Sequence, residues 1–146
     1  MHLTDCYFPP AAKPPTIDAV FIGDSMSERL QTTGILSQTA QLPSSFNVGV
    51  GGDKIENFLY RLDLGMQSLL AQRAVQVRIV MVGTNNLGKA LRLAEVERYR
   101  LLLQALLRIS PGSHILAFAL FKRKDISDQH VAHSSEILLS LIEEMN

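Results

Sequence analysis

Four short apolar runs separated by helix-length segments constrain this chain more than any other feature. Ala19-Val20-Phe21-Ile22, Phe46-Asn47-Val48-Gly49-Val50, Val77 to Val82 and His114 to Phe121 read as strands. They are largely apolar rather than alternating, the mark of strands covered on both faces. Between the first two, Ser27 to Thr33 is expected to form a short helix ending near Gly34. Asp53, with Glu56 three residues on, reads as a helix N-cap in a capping box. The helix it opens would place Ile55, Phe58, Leu59 and Leu62 on one face. Leu93 to Ile109 carries Val96, Tyr99, Leu102, Leu103 and Leu106 at helical spacing, and Ser110-Pro111-Gly112 stops it. After a polar loop from Lys122 to Gln129, a last helix uses Ile137, Leu138, Leu141, Ile142 and Met145. Strands alternating with helices imply a parallel sheet with right-handed crossovers and helices on both faces. The fold class is therefore a three-layer α/β domain.

Composition narrows the partners. With 47% hydrophobic and 19% charged residues in 146, the chain can bury one core, which excludes wholesale disorder. Lys plus Arg and Asp plus Glu both number 14, so no global field gathers phosphates and nucleic acid is not an expected partner. The short basic run Lys122-Arg123-Lys124 reads as a solvated loop. Cys6 is the single cysteine, so neither an internal disulfide nor a cysteine zinc site can form. Met1 to Cys6 lacks the basic and apolar regions of a signal peptide, and no apolar run is long enough to span a bilayer. A cytoplasmic location is the expectation. Residues 1–17 hold four of the six prolines and read as an extended arm, or as a proline-rich ligand for another domain. The folded domain is expected over 18–146.

In such a sheet, ligands bind beyond the carboxyl ends of the strands. The first strand ends there in Gly23-Asp24-Ser25, the second in Asn47-Val48-Gly49-Val50-Gly51-Gly52-Asp53, and the third in Gly83-Thr84-Asn85-Asn86. Each alone has an ordinary reading. Asp24 or Ser25 can cap a helix, Gly51-Gly52 can be a tight turn, and Asn85 can bond its own backbone. Together they offer a hydroxyl, a bare backbone amide and a carboxamide along one edge. A serine at a helix start can attack a carbonyl, where the helix terminus favours the developing charge. The Ser25 N–H, the Gly52 N–H and the Asn85 side-chain amide could then donate to the oxyanion. Removing one such donor lowers the rate by roughly 10²–10³.

These residues resemble the SGNH hydrolases, also called the GDSL esterase and lipase superfamily. Phe21 to Ser25 is similar to its first block, Asn47 to Asp53 to its second, and Val82 to Asn86 to its third. With Leu59-Tyr60-Arg61-Leu62, the likeness extends to the catalytic subunits of the intracellular platelet-activating-factor acetylhydrolases and covers roughly Ala19 to Met145. The resemblance implies a flavodoxin-like sheet of order 2-1-3-4-5 and hydrolysis of a small acyl ester without metal or organic cofactor. Ser25 would be the nucleophile, Gly52 and Asn85 would line the oxyanion hole, and Asp24 and Asn47 would support the loops.

The family's fourth block, Asp-x-x-His, supplies the general base and its orienting carboxylate. No aspartate of this sequence has histidine three residues later. The expectation is a chain that stops before the family's last strand, helix and catalytic loop, and is a weak esterase or a pseudoenzyme if it ends at Asn146. His130 and His133, with Asp125 and Asp128 nearby, are the candidate substitute bases. They follow the fourth strand, two strand spacings or roughly 10 Å from the first, so their loop would have to fold back over the site. A solvated helix start is the competing reading. His114, inside the fourth strand, reads as structural, and a bared fourth-strand edge would be a template for association, giving a homodimer or poor solubility. Outside the family, a flavodoxin-like binder of a phosphorylated ligand is the rival. The dinucleotide fingerprint fails because Lys54 stands where its third glycine belongs, and no P-loop run is present.

Overall fold

The structure, a computed structural model, describes residues 16–145, so all of the proline-rich arm except Thr16 and Ile17 lies outside the described residues. In chain order the elements are β1 (Thr16–Gly23), α1 (Ser25–Glu28), β2 (Ser45–Asn47), α2 (Ile55–Arg61), α3 (Gln67–Ala71), β3 (Ala74–Met81), α4 (Leu93–Ile109), β4 (His114–Ala117) and α5 (Asp128–Met145). Single 3-10 turns follow α1 and β3, and a wide π-type turn over Leu62–Met66 joins α2 to α3.

The four strands form one parallel sheet of order β2-β1-β3-β4, the first four places of the expected flavodoxin-like order. β1 lies second and pairs with β3 from Thr16 to Gly23. Residues Ala19 to Gly23 are all buried, so this strand is covered on both faces, as its unbroken apolar run requires. Val75 and Val80 bury from β3 against Leu102, Leu103 and Leu106 of α4 and Leu138 and Leu141 of α5 in one core. α4 occupies the expected Leu93 to Ile109, with Val96, Tyr99, Leu102, Leu103 and Leu106 as its buried face.

Several boundaries differ from the sequence reading, each for a local reason. β1 begins at Thr16, ahead of the apolar run, because Thr16 and Ile17 pair with Ala74 and Val75. The helix after β1 begins at Ser25 rather than Ser27 and lasts one turn before tightening into 3-10 geometry at Arg29–Gln31. Asp24 starts it early by accepting from the Met26 amide at 3.0 Å. β2 stops at Asn47 because the Asn47 carboxamide turns back to accept from the Gly49 N–H at 2.8 Å. Beyond it the chain still touches the sheet, with Val48 N–H donating to Phe21 at 2.9 Å and Val50 N–H to Gly23 at 3.1 Å. β4 ends at Ala117 rather than Phe121, since two side-chain hydroxyls take over the amides that follow. Ser135 accepts from Leu120 at 3.2 Å, and Thr84 accepts from Phe121 at 3.1 Å.

The capping box at Asp53 is not formed. Lys54 is the N-cap of α2, and its backbone N–H donates to the Asn57 side chain at 3.0 Å. Asp53 instead pairs with Arg61, one helix length away.

Candidate active site

The carboxyl ends of β1, β2 and β3 are adjacent in the sheet, so the three glycine-containing loops meet at one edge. Ser25, half-buried, opens α1 just past β1. Gly52 sits in the loop after β2 with φ of +81°, in the left-handed region, and nothing lies within 4 Å of where its Cβ would be. Asn85, half-buried, is in the 3-10 turn Thr84–Asn86 past β3.

Asn85 ties these loops together. Its Nδ2 donates to the backbone carbonyl of Asp53, next to Gly52, at 2.9 Å. The same group lies 3.4 Å from the carboxylate of Asp24, next to Ser25. Asp24 is almost fully buried, and that burial pushes its carboxyl above the usual aspartate range, with a further upward push from Asp53. The Met26 and Asp24 backbone amides and Arg29 oppose the rise.

Asn47 performs a parallel service between β2 and α1. Its Nδ2 donates to the Ser27 carbonyl at 2.7 Å, and its Oδ1 accepts from the Ser27 hydroxyl at 3.2 Å. Gly49 lets the loop approach this closely. A Cβ there would stand 2.5 Å from Ser27 Cβ and 2.8 Å from the Glu28 nitrogen.

A second layer was not foreseen from the sequence. Arg61 clamps the Gly51-Gly52 loop from below, donating to the Asp53 carboxylate and to the Val48 carbonyl at 2.9 Å while its guanidinium stacks over Phe58. Asn86 accepts from the Ile55 N–H at 3.0 Å and donates to Glu56 at 2.8 Å, fixing the start of α2 to the third block. Arg61 lies in the Leu59-Tyr60-Arg61-Leu62 segment, but nothing in its spacing from Asp53 announces an ion pair. The carboxamide beside Asn85 was the available signal for Asn86.

His130 and His133 are exposed on the first turns of α5. Among the described residues, no hydrogen bond joins Ser25 Oγ to an imidazole. The loop after β4 does fold back onto the third block, but it brings an arginine. Arg123 donates to the Thr84 carbonyl at 3.1 Å and forks onto Asp125. His114 is exposed on β4. Among the described residues, no three His, Cys, Asp or Glu side chains gather as a metal-ligand set, and no helix is long and apolar enough to cross a membrane.

No family model matches the chain. Part of it is 34% identical over 71 residues to the alpha1 subunit of bovine platelet-activating factor acetylhydrolase IB, covering 49% of this chain and 29% of that protein. The human alpha2 subunit is 33% identical over 69 residues, covering 47% and 29%. The match thus spans under a third of these relatives. Among solved structures, an acetyl xylan esterase superimposes with a TM-score of 0.59 at 19% identity, over 88% of this chain and 73% of that one. A protein from Parabacteroides merdae described as a GDSL-like lipase gives 0.59 at 15% identity, over 94% and 78%. At such identities the structures testify to the fold alone. Sequence match and shared fold together support an SGNH hydrolase-like relationship for this chain.

Proposed function

We propose that this chain is an SGNH-type hydrolase of small acyl esters, with Ser25 as nucleophile and an oxyanion hole formed by the Ser25 N–H, the Gly52 N–H and the Asn85 carboxamide. The observation that carries the reading is the bridge from Asn85 to the residues beside Gly52 and Ser25. A carboxamide has two N–H donors. One stays on the Asp53 carbonyl, while the longer contact to Asp24 is the one exchanged for a developing oxyanion. Asp24 and Asn47 hold the loops and do not touch substrate. The names of the similar proteins, an acetylhydrolase and an acetyl esterase, favour a short acyl group.

The general base is the open part of the machine. Without one, a serine hydrolase site retains roughly 10³–10⁴-fold acceleration over water. Among the described residues no imidazole is bonded to Ser25, and the second reading is an inactive SGNH-fold module kept for binding or dimerisation. Leu116 in β4 and Phe118 just beyond it, exposed at 52% and 44%, would supply the apolar contact of a homodimer.

Fluorophosphonate labelling separates the two. The hydrolase reading expects a covalent adduct on Ser25, lost in Ser25→Ala, and turnover of p-nitrophenyl acetate above that variant. An unlabelled Ser25 and equal turnover would leave the binding module standing, and light scattering then reports whether it dimerises.

A further inference from the structure

A cleft of about 490 Å³ opens beside Asn85, between the third block, the start of α2 and the start of α4. Its lining is rich in basic side chains. Lys54, Lys89 and Arg92 surround it, Leu87 contributes an apolar wall, and Glu95 is the one carboxylate among its lining residues. Glu95 is taken: it is buried and bonded to Arg92 through both the side chain and the N-cap amide, and these bonds hold its carboxyl below the usual glutamate range despite burial. Glu56, just outside, is bonded to Asn86 and feels Lys54 and Arg98. Among the described residues, neither Lys54 nor Lys89 has a carboxylate within ion-pair distance.

We infer that this cleft binds an anionic group, a carboxylate or a phosphate monoester, on the part of the substrate distal to the ester bond. The inference rests on the ester-hydrolase reading for the meaning of the group, because Asn85 belongs to both the cleft and the proposed oxyanion hole. Two uncommitted ammonium groups around an apolar wall favour a ligand that is charged at one end. Lys54 and Lys89 would hold an anion more tightly than a neutral ligand of the same shape. The chain would thus discriminate among esters by charge at a distance from the reacting carbon.

The test uses the full chain and does not require turnover. Phenyl phosphate, benzoate and phenol are titrated into ¹⁵N-labelled protein, and the Gly88 and Lys89 amides and the Asn85 side-chain amide are followed by NMR. Saturating shifts are expected for one or both anions and none for phenol, with affinity falling as salt rises. The tighter of the two anions identifies the group. The Lys54→Gln/Lys89→Gln variant should weaken binding about three- to tenfold, and Lys89→Arg should retain it. Lys89→Gln alone gives a smaller loss of the same sign should the double variant fold poorly. Absent shifts, shifts equal for phenol, or affinity unchanged in the glutamine variants would overturn the inference. Failure of Ser25 labelling would sink the hydrolase reading without altering these shifts, so the two failures are distinguishable.

Discussion

Ser27 and Asn47 hold each other twice, the Asn47 amide donating to the Ser27 carbonyl at 2.7 Å and the Ser27 hydroxyl donating to the Asn47 carboxamide oxygen at 3.2 Å. With the Gly49 amide on the same oxygen, one side chain fixes the loop after β2 against the first turn after β1. Asn47→Ala leaves these partners unsatisfied in a half-buried place and should lower stability by about 1–3 kcal/mol. Urea unfolding measures this, and a loss near zero would mean that water replaces the bonds freely.

Gly52 and Gly49, two of the three glycines of the second block, should behave differently. Gly52→Ala meets no neighbour, so its penalty is the left-handed backbone alone, about 1–2 kcal/mol. Gly49→Ala drives a methyl into Ser27 and the Glu28 backbone and should lose about 3 kcal/mol or more. Thermal unfolding of the pair ranks them, and the reverse order would refute the close packing described.

Asp24 gives a pH signature. Burial, followed by the neighbouring Asp53, raises its folded pKa above the unfolded value of 3.8. The folded state therefore binds the proton more tightly, and stability contributed by this group is present at low pH and lost as pH rises through the folded pKa. Asp24→Asn can still accept from the Met26 amide but does not titrate. Its stability relative to the parent should climb as pH rises above 3.8 and level off once pH has passed the folded pKa, read by denaturant titration across that range. A difference independent of pH would remove the argument.

Arg78 is fully buried in β3, donates to the Ser113 hydroxyl, and leaves Nε and one terminal nitrogen without partners. Its desolvation pulls the guanidinium below its ordinary pKa. Arg78→Met fills similar volume without a charge and should raise stability by about 1–3 kcal/mol. Arg78→Ala opens a void and should lower it. Calorimetry of both variants distinguishes a buried charge from a useful one, since a useful one predicts loss in each.

The alternation of apolar strands with helices sufficed to read the parallel sheet, and α4 was legible from end to end because its stripe and its Ser-Pro-Gly stop agree. What escaped lay in contacts between distant segments. Asp53 has the composition of a cap, yet Arg61 claims it, and the cap passes to Lys54. β4 is shorter than its apolar run because hydroxyls on Thr84 and Ser135 capture its later amides. Arg78 sits in a run that reads apolar on either side of it, so its complete burial had no local sign. The placement of Ser25, Gly52 and Asn85 beyond the carboxyl ends of adjacent strands was readable from the blocks. The role of Asn85 as a bridge between the other two loops was not.

The pairing of β1 with β3, from Thr16 against Ala74 to Gly23 against Met81, has a consequence for biosynthesis. The first strand leaves the ribosome long before its principal neighbour is made, and at about 5–20 residues per second the wait lasts several seconds. During that interval its apolar run is bare, a natural ligand for a holdase chaperone. Nascent chains arrested ahead of Ala74 should therefore be captured, and those arrested well beyond Met81 released.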